Sequence, residues 1–391
     1  MDSKFDQIRP YFDIEIPSAI ERMLHFEYLP DIANFLKIPE LELISLLQKC
    51  RNVDDFQNYI MANVVSLILK HSAAGVTINQ EGLSNFENSR KYLIISNHRD
   101  IVLDSAIIQL ILHDNNYQTT ESAVGDNLIS SQFVEDVARS NKMIKVTRNT
   151  TPMAVYNASK LLSEYIRERV FSGGSSVWIA QRNGRTKNGN DATEQGVLKM
   201  LSMSGKGDFT EDMMQLSILP VAISYEYEPC DIQKALEVYI TRRHKYVKSR
   251  DEDMASIISG MMQYKGEIHI GIAEPITSEE IEYCSQFAKN ERFTSLAKII
   301  DNKIYGAYKL RAINYIAADI IQERKGETIH YLSKYTEKEK STFIEYMNSR
   351  IADFALKTLQ QKGEDIELNK SELEDIFLSI YANPLYNSTE V

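Results

Sequence analysis

The stretch "KYLIISNHRDIVLDSAIIQLILH", residues 91–113, sets the pattern for the middle of the chain. Its apolar run "YLIIS" is typical of a buried strand, and "SAIIQLILH" is typical of an apolar helix. A polar segment containing His98 and Asp104 lies between the two. A strand, a polar loop and a helix in this order predict one unit of an α/β fold, with polar side chains at the end of the strand.

Further short apolar runs alternate with helical stretches after this unit. They are "SAVG", "MIKVT", "SVWIA", "LSILPVAISY" and "EIHIGIA". One intervening helix is well marked, because Thr151 is a good N-cap, Pro152 suits the first turn, and Gly173 and Gly174 stop it. The alternation predicts an α/β fold, with a mixed sheet and covering helices.

Helical patterns flank this central part of the chain. Apolar residues recur at three- and four-residue spacing in residues 18–36 and 54–71, and again in 296–321 and 339–359. We therefore divide the chain into three regions. They are an N-terminal helical region at 1–78, the α/β domain at 79–275 and a C-terminal helical region at 276–391.

Composition limits the class of protein. The 391 residues are 43% hydrophobic and 25% charged, as in soluble globular proteins. Three scattered cysteines without a CxxC pair indicate a reducing cytosol, so we expect a cytoplasmic protein. The N-terminus lacks the apolar core of a signal peptide, and no run reaches the ~18 apolar residues that span a bilayer.

The net charge limits the kinds of partner that we expect for this protein. The net charge of −11 disfavours nucleic acid as a partner. The basic run "TRRHKYVKSR", residues 241–250, is the exception to this acidic balance. It is either a solvated face or a contact for membrane phosphates or for an acidic carrier protein.

The "HRD" of residues 98–100 also raises the possibility of a protein-kinase catalytic loop. A kinase needs Asn five residues after this Asp, where it holds magnesium. Counting from Asp100, that position is Ser105, and neither a glycine-rich loop nor a DFG motif accompanies it. We exclude a kinase.

His98 and Asp104 suit acid–base chemistry. A histidine at the end of a strand can take a proton from a hydroxyl group, and a carboxylate on the next turn can hold its other ring nitrogen. The alternative is structural, with Asn97 and Asp100 capping the start of the helix.

Two arginine-containing segments lie at other strand ends. Arg148 closes the run "MIKVT", and "RNGRTKNG", residues 182–189, follows "SVWIA". Ligands of open α/β sheets bind beyond the carboxyl ends of the strands, and guanidinium groups bind phosphate in bidentate fashion. A histidine that activates a hydroxyl beside Arg148 and Arg185 indicates a phosphorylated alcohol as the nucleophile.

These motifs occur in a familiar order. The segment from about 90 to 275 resembles the glycerolipid acyltransferases, which include the glycerol-3-phosphate and lysophosphatidate acyltransferases. The resemblance covers about half the chain and rests on "NHRDIVLDS", "MIKVTR", "RNGRTKNG" and "LPVAISYEYEP". It implies a glycerol-3-phosphate acyltransferase-like fold and acyl transfer in phospholipid synthesis. The implied donor is acyl-CoA or acyl-carrier protein, and the implied acceptor is glycerol 3-phosphate or lysophosphatidate.

The resemblance also implies roles for individual residues. His98 acts as the base and Asp104 orients it. The acceptor phosphate is held by Arg148, Arg182, Asn183, Gly184 and Arg185. Backbone amides near Pro220 and Val221 stabilise the oxyanion. We expect no metal or other cofactor, and peripheral attachment to the inner face of a membrane.

The chain departs from the family pattern in two places. Five residues separate His98 from Asp104 where the family has four, so Asp100 is a rival partner although Asp104 fits better. The family's third motif carries Glu-Gly before Thr-Arg, whereas Arg182 or Asn183 takes the position of the Glu here. Without this carboxylate the acceptor pocket is more basic.

Two alternatives follow from these departures. One is acyl transfer to an acceptor without phosphate, such as an amino-acid lipid headgroup whose carboxylate Arg182 binds. The other is a non-catalytic protein of the same fold that binds lipid or a carrier protein.

Overall fold

The computed structural model describes residues 3–87, 89–148, 151–249, 251–352 and 368–389. Its centre is a sheet whose strands in chain order are β1 (Gly75–Ile78), β2 (Leu93–Ser96), β3 (Glu121–Gly125), β4 (Met143–Val146), β5 (Val177–Ala180), β6 (Ile218–Tyr225) and β7 (Glu267–Ile272). The spatial order is β1-β7-β6-β2-β5-β3-β4. Strands β6, β2, β5, β3 and β4 are parallel, and β7 is antiparallel to β6. The predicted mixed sheet is confirmed.

The apolar runs form strands because most of them lie in the interior of the sheet. Every residue of β2 and β6 is buried. Parallel strands covered on both faces have nearly continuous apolar sequences, which explains the pattern of "YLIIS" and "LSILPVAISY". The edge strand β1 is only partly buried, and its short sequence "GVTI" gave no comparable signal.

The α-helices of the described ranges cover the sheet and extend beyond it. They are α1 (Ile16–Leu24), α2 (Leu29–Leu36), α3 (Glu40–Lys49), α4 (Val53–Phe56), α5 (Ala62–Ser72), α6 (Gln80–Ser84), α7 (Leu103–Asp114), α8 (Gln132–Ser140), α9 (Pro152–Phe171), α10 (Gln195–Ser202), α11 (Phe209–Met214), α12 (Asp231–Thr241), α13 (Glu252–Met262), α14 (Ser278–Ser285), α15 (Lys289–Ala307), α16 (Ala312–Lys325), α17 (Glu337–Arg350) and α18 (Lys370–Thr389). A π-helical segment, Gln57–Met61, joins α4 to α5.

Helix α9 has the limits that its sequence predicts. Thr151 is the N-cap, and its hydroxyl oxygen accepts a hydrogen bond from the backbone N–H of Ala154 at 3.4 Å. Pro152 opens the helix, and Gly173 follows its end with a φ of 76° that favours glycine. This helix connects β4 to β5 in the chain and packs on one face of the sheet.

Separate apolar cores serve the sheet and the flanking regions. Helices α9, α10, α14 and α15 pack on one face of the sheet, and α5, α6 and α7 pack on the other. Helices α1 to α4 enclose a core of their own, and α12, α16, α17 and α18 enclose another. The division at 78 and 275 stays a proposal: β1 of the sheet lies just before 79, and α14 and α15, after 275, pack on the sheet.

The flanking regions are helical as predicted, within the described residues. The predicted segment 296–321 is divided between α15 and α16, and α17 begins the segment predicted at 339–359. Residues 353–359 of that segment lie outside the described residues. None of the helices in the described ranges is long and apolar enough to cross a membrane.

Candidate active site

His98 and Asp104 meet at the carboxyl end of β2. His98 lies two residues beyond the strand, and Asp104 lies in the first turn of α7. The imidazole Nδ1 is 2.8 Å from Oδ2 of Asp104. The side chain of Asp104 is fully buried, whereas that of His98 is 14% exposed. The pair therefore has a fixed inner member and an outer member that a substrate can reach. We call residues 97–104 the histidine loop.

The Asp104 carboxylate is held by several donors. Oδ2 also accepts hydrogen bonds from the backbone N–H groups of Arg99 and Asp100, at 2.7 and 3.0 Å. Oδ1 accepts one from the hydroxyl of Tyr225 at 2.8 Å. Burial, helped by the charge of Asp104, raises the pKa of Tyr225 well above its ordinary value, so the phenol stays a donor. This arrangement orients His98 Nδ1 inward and leaves Nε2 as the nitrogen that can take up a proton.

Trp178 in β5 forms a wall beside the imidazole. Its ring centroid lies 5.9 Å from that of His98, in an edge-to-face arrangement. The indole N–H donates a hydrogen bond to the hydroxyl of Ser96 at 2.9 Å, which fixes the ring. Edge-to-face contacts of this kind restrict the imidazole to one orientation.

Asp100 has a different position from Asp104. Its Oδ1 accepts hydrogen bonds from the backbone N–H groups of Val102 and Leu103 at 2.9 and 2.8 Å, where α7 begins. Its Oδ2 is buried and makes no hydrogen bond with any described residue. Burial raises the pKa of this carboxyl, and the neighbouring Asp104 acts in the same direction. The geometry thus pairs His98 with Asp104 and gives Asp100 the position of a cap.

The loop that follows β5, residues 181–194, lies beside the histidine loop, and we call it the arginine loop. The backbone N–H of Thr186 donates to the carbonyl oxygen of His98 at 2.9 Å. Arg185 is half-buried, and its positive charge lowers the pKa of Asp100 against the effect of burial. Nη1 of Arg185 and Nε of Arg182 are buried without a hydrogen-bond partner among the described residues. These N–H groups can bind an anion next to His98.

A carboxylate stands at the end of the arginine loop, although the Glu expected near Arg182 is missing from the sequence. Oε2 of Glu194 accepts a hydrogen bond from the backbone N–H of Asn183 at 3.1 Å, and Oε1 lies 3.9 Å from Nη2 of Arg182. Gly184, between the two arginines, has a φ of 78° that favours glycine in this turn. Glu194 thus offsets part of the charge that the sequence alone assigned to this pocket.

Arg148 lies at the same edge of the sheet but farther away. Strand β4 is three positions from β2, which corresponds to about 14 Å at the usual strand spacing. Arg148 is exposed, and its backbone N–H donates to Oδ1 of Asp126 at 3.1 Å. Its side chain runs across Gly125, where an added Cβ would lie 2.9 Å from Nε. The structure therefore brings Arg185 close to His98 and leaves Arg148 at the margin.

The expected oxyanion position lies within a strand of the sheet. Pro220 and Val221 lie inside β6, with β2 on one side and β7 on the other. A proline has no N–H to donate, and Val221 is buried within the sheet at the level of Ser96. The role of amides near these residues in an oxyanion site stays a prediction, since Val221 pairs with Ser96 at the end of β2, two residues before His98.

Sequence reasoning missed several residues that shape this site. Tyr225, Trp178 and Thr186 all contact the histidine loop or its base. Tyr225 ends the apolar run of β6, but only the position of β6 beside β2 shows that its hydroxyl reaches Asp104. The contact joins residues 121 positions apart, so no local pattern could indicate it.

A His–Asp pair at the carboxyl edge of a sheet has the geometry needed to activate a hydroxyl group for a transfer reaction. Residues 77–224 match the family model described as Acyltransferase. Residues 77–224 therefore form an acyltransferase domain, as the motifs shared with the glycerolipid acyltransferases indicated, and this domain supports acyltransferase activity. The match runs from β1 to β6 and includes both loops. The comparison with curated proteins found no match.

Proposed function

We propose that this enzyme moves a fatty acyl group from acyl-CoA or acyl-carrier protein to the hydroxyl of glycerol 3-phosphate or lysophosphatidate. The observation that supports this most is the buried Asp104 that holds His98 Nδ1 at 2.8 Å, with Arg185 beside the same loop. A general base near arginines whose nitrogens include two without a hydrogen-bond partner among the described residues suits an acceptor that carries both a hydroxyl and a phosphate.

The proposed reaction is direct transfer. His98 Nε2 takes the proton of the acceptor hydroxyl while the oxygen attacks the thioester carbonyl carbon. The C–S bond then breaks, the new C–O ester bond remains, and His98 returns the proton to the departing thiolate. Asp104 stabilises the imidazolium that exists between these steps. The thioester is already activated, so this chemistry calls for no cofactor.

Arg185 and Arg182 bind the acceptor phosphate in this proposal. Their unpaired buried N–H groups are the donors, and Asn183 and Gly184 form the turn that presents them. Arg148 contributes from the margin of the site, where it meets a part of the acceptor or donor that extends along the sheet edge. We further propose that the protein acts at the inner membrane surface as a peripheral enzyme, because its acceptor or product is a lipid.

The test is a panel of substrates with purified protein. The donors are acyl-CoA and acyl-carrier protein, and the acceptors are glycerol 3-phosphate, lysophosphatidate and a lyso-aminolipid. Ester formation with either phosphate acceptor supports the proposal. Turnover of the aminolipid alone would replace it with the acceptor that lacks phosphate, and binding without turnover of any acceptor would favour a non-catalytic protein.

We expect His98→Ala to abolish transfer without unfolding the protein. The loss of a general base costs typically ~10²–10⁴-fold in rate. The rate and the melting temperature are the measurements. The matched control is His25→Ala, because His25 is an exposed histidine at the end of α1 whose Nδ1 hydrogen-bonds the carbonyl oxygen of Glu21. Near-normal turnover by His98→Ala would rule out the assignment of the base.

A further inference from the structure

Arg99, next to His98, carries its charge into the interior of the protein. Its side chain is 1% exposed. Nη2 lies 2.5 Å from Oδ2 of Asp191, and Nη1 lies 3.0 Å from Oε2 of Glu228. Nζ of Lys234 lies 2.5 Å from the other oxygen of Glu228. These four side chains, which we call the buried charge cluster, combine two positive and two negative charges.

Burying the four charges of the buried charge cluster is unfavourable to the free energy of folding. Removing charges from water carries a large penalty, and well-packed apolar residues often serve stability as well or better. Burial raises the pKa of the Asp191 carboxyl even though Arg99 acts in the opposite direction. Stability of the fold is therefore a weak reason for the cluster, and its contacts with the site are a better guide.

The cluster fixes the backbone on both sides of His98. The carbonyl oxygen of Arg99 accepts a hydrogen bond from Nζ of Lys234 at 2.6 Å, while the N–H of Arg99 donates to Asp104. On the other side of His98, Nδ2 of Asn97 donates to Oδ2 of Asp191 at 3.2 Å. The residues before and after the histidine are thus tied to the same four charges.

The C-terminal helix α18 closes the cluster from outside the matched domain. The hydroxyl of Tyr381 accepts a hydrogen bond from the N–H of Glu228 at 3.2 Å and donates one to Oδ2 of Asp231 at 2.9 Å. Asp231 opens α12, the helix that carries Lys234. Tyr381 therefore holds together the two segments that supply Glu228 and Lys234 to the cluster.

Helix α18 also contacts the arginine loop. An added Cβ on Gly189 would lie 2.1 Å from the carbonyl oxygen of Ile380, and the φ of Gly189 is 79°. Only glycine allows the loop and the helix to approach so closely. In addition, Nδ2 of Asn383 donates to the carbonyl oxygen of Asn188 at 2.7 Å. Helix α18 thus contacts the arginine loop and also, through Tyr381, the segments that carry Glu228 and Lys234.

We propose that the buried charge cluster positions the His98–Asp104 pair and that α18, through Tyr381, is part of the catalytic unit. Arg99 is then a positioning residue that touches no substrate. This inference rests on the proposed role of His98, and it gives the C-terminal helices a function in the reaction. Helix α18 would be required for catalysis although it lies outside residues 77–224.

The first test changes Arg99. Arg99→Lys keeps the charge but cannot reach Asp191 and Glu228 together, and Arg99→Gln removes the charge. We expect kcat to fall in the order parent, Lys, Gln, by at least tenfold for Lys, since a 1 Å misplacement in an active site can cost ~10²-fold. The KM values of both substrates should stay within twofold. A loss of melting temperature with unchanged kcat would overturn the proposal.

The second test uses a single hydroxyl on α18. Tyr381→Phe removes both hydrogen bonds of the phenol and keeps the apolar packing. Tyr335→Phe is the matched control, because Tyr335 is also buried in the C-terminal core and donates to Asp319 at 2.8 Å, away from the cluster. We expect Tyr381→Phe to lower kcat about tenfold, as a misplaced base does, while Tyr335→Phe lowers only the melting temperature. Equal kcat values for the two variants would contradict a special role of α18.

A third measurement does not depend on acyl transfer. The imidazole N–H proton shared with Asp104 should give a downfield proton NMR signal, identified by its loss in Asp104→Asn. We expect this signal to broaden or shift in Arg99→Lys and Tyr381→Phe but not in Tyr335→Phe. If the signal responds but no substrate is turned over, the positioning inference stands and the proposed function fails. An unchanged signal in both variants would overturn the inference.

Discussion

The histidine loop and the arginine loop meet at the same edge of the sheet but are built in opposite ways. In the histidine loop, the carboxylate of Asp104 accepts four hydrogen bonds. The backbone N–H and the carbonyl oxygen of Arg99 each form a hydrogen bond as well. In the arginine loop, Arg182 and Arg185 keep buried nitrogens without partners among the described residues. The difference teaches that a base needs one fixed geometry, whereas an anion site must keep its donors available for the ligand.

We expect the largest effect from removing the negative charge of Asp104, the partner of His98. Asp104→Asn should reduce the rate by ~10²–10⁴-fold, because the amide can donate to Nδ1 and does not stabilise the imidazolium. Asp100→Asn keeps an oxygen for the N–H groups of Val102 and Leu103, so it should cost less than about threefold in rate and at most ~1 kcal/mol of cap stability. Steady-state kinetics and thermal melting of both variants provide the measurement, and the reverse order would make Asp100 the partner.

Substitutions in the arginine loop should change the affinity for the substrate and not the rate of the chemical step. Arg185→Ala removes a charge-assisted contact worth ~1.5–3 kcal/mol, so the acceptor KM should rise about tenfold or more. The donor KM should stay nearly unchanged, and inhibition by inorganic phosphate should weaken. Arg324→Ala is the control, because Arg324 makes its ion pairs with Glu374 and Asp375 in the C-terminal region.

The opposite outcome for Arg185→Ala is also informative. If only the acyl donor binds more weakly, the arginine loop serves the phosphate groups of CoA or of the carrier. The acceptor without phosphate would then become the leading hypothesis.

A third prediction concerns the surface that covers the histidine loop. Helix α13 packs on it through Gly260, where an added Cβ would lie 2.1 Å from Oδ2 of Asp100. The opposite face of α13 exposes Met254, Ile258 and Met262 at four-residue spacing, 47%, 47% and 54% exposed. The basic run precedes α13 in the chain, and its described residues 241–249 are mostly exposed. An apolar face beside basic residues suits the surface of an anionic bilayer.

We expect the protein to bind anionic vesicles weakly, with binding that falls as salt increases. Ile258→Asp should weaken the binding about fivefold, or ~1 kcal/mol, because a partly inserted side chain contributes less than the ~1.5–3 kcal/mol of full burial. Vesicle sedimentation measures the effect. The control is Leu41→Asp, at a position that is 79% exposed on α3. Equal loss in the two variants would argue against α13 as the contact.

The smallest expected effect concerns the anchor of the arginine loop. Oδ1 of Asp301 accepts hydrogen bonds from the N–H and the hydroxyl of Thr193, at 2.8 and 2.5 Å. Burial raises the pKa of Asp301 to about 6. The folded protein therefore holds a proton on Asp301 between about pH 4 and 6 that the unfolded chain has released, so this contribution to stability is present below pH 4 and lost by pH 6.

Asp301→Asn should remove this pH dependence. As pH rises from 4 to 6, the free energy of unfolding of the parent should fall relative to that of the variant, by on the order of 1–2 kcal/mol. Denaturant unfolding at several pH values measures the difference. Parallel pH profiles of the two proteins would show that Asp301 does not titrate in this range.

The parts of the fold that depend on residues close together in the sequence were predictable. Interior strands such as β2 and β6 need apolar residues at every position, so short sequences indicate them. His98 and Asp104 could be singled out because a strand end and a helix start place them near each other. The sequence did not indicate Tyr225 or the pairing of Arg99 with Glu228, because those contacts span 121 and 129 residues. The oxyanion expectation near Pro220 and Val221 stays a prediction, because sequence spacing does not show which amides face the site.

The contact of Asn383 with the carbonyl oxygen of Asn188 joins segments that are 195 residues apart. At the usual ~5–20 residues per second of protein synthesis, α18 leaves the ribosome about 10–40 s after the arginine loop. During that interval the sheet can form, but Gly189 and Glu228 lack the helix that packs on them. Under the proposed role of α18, a nascent chain whose sheet has formed would still have an incomplete site, and its first reaction would wait until α18 has docked.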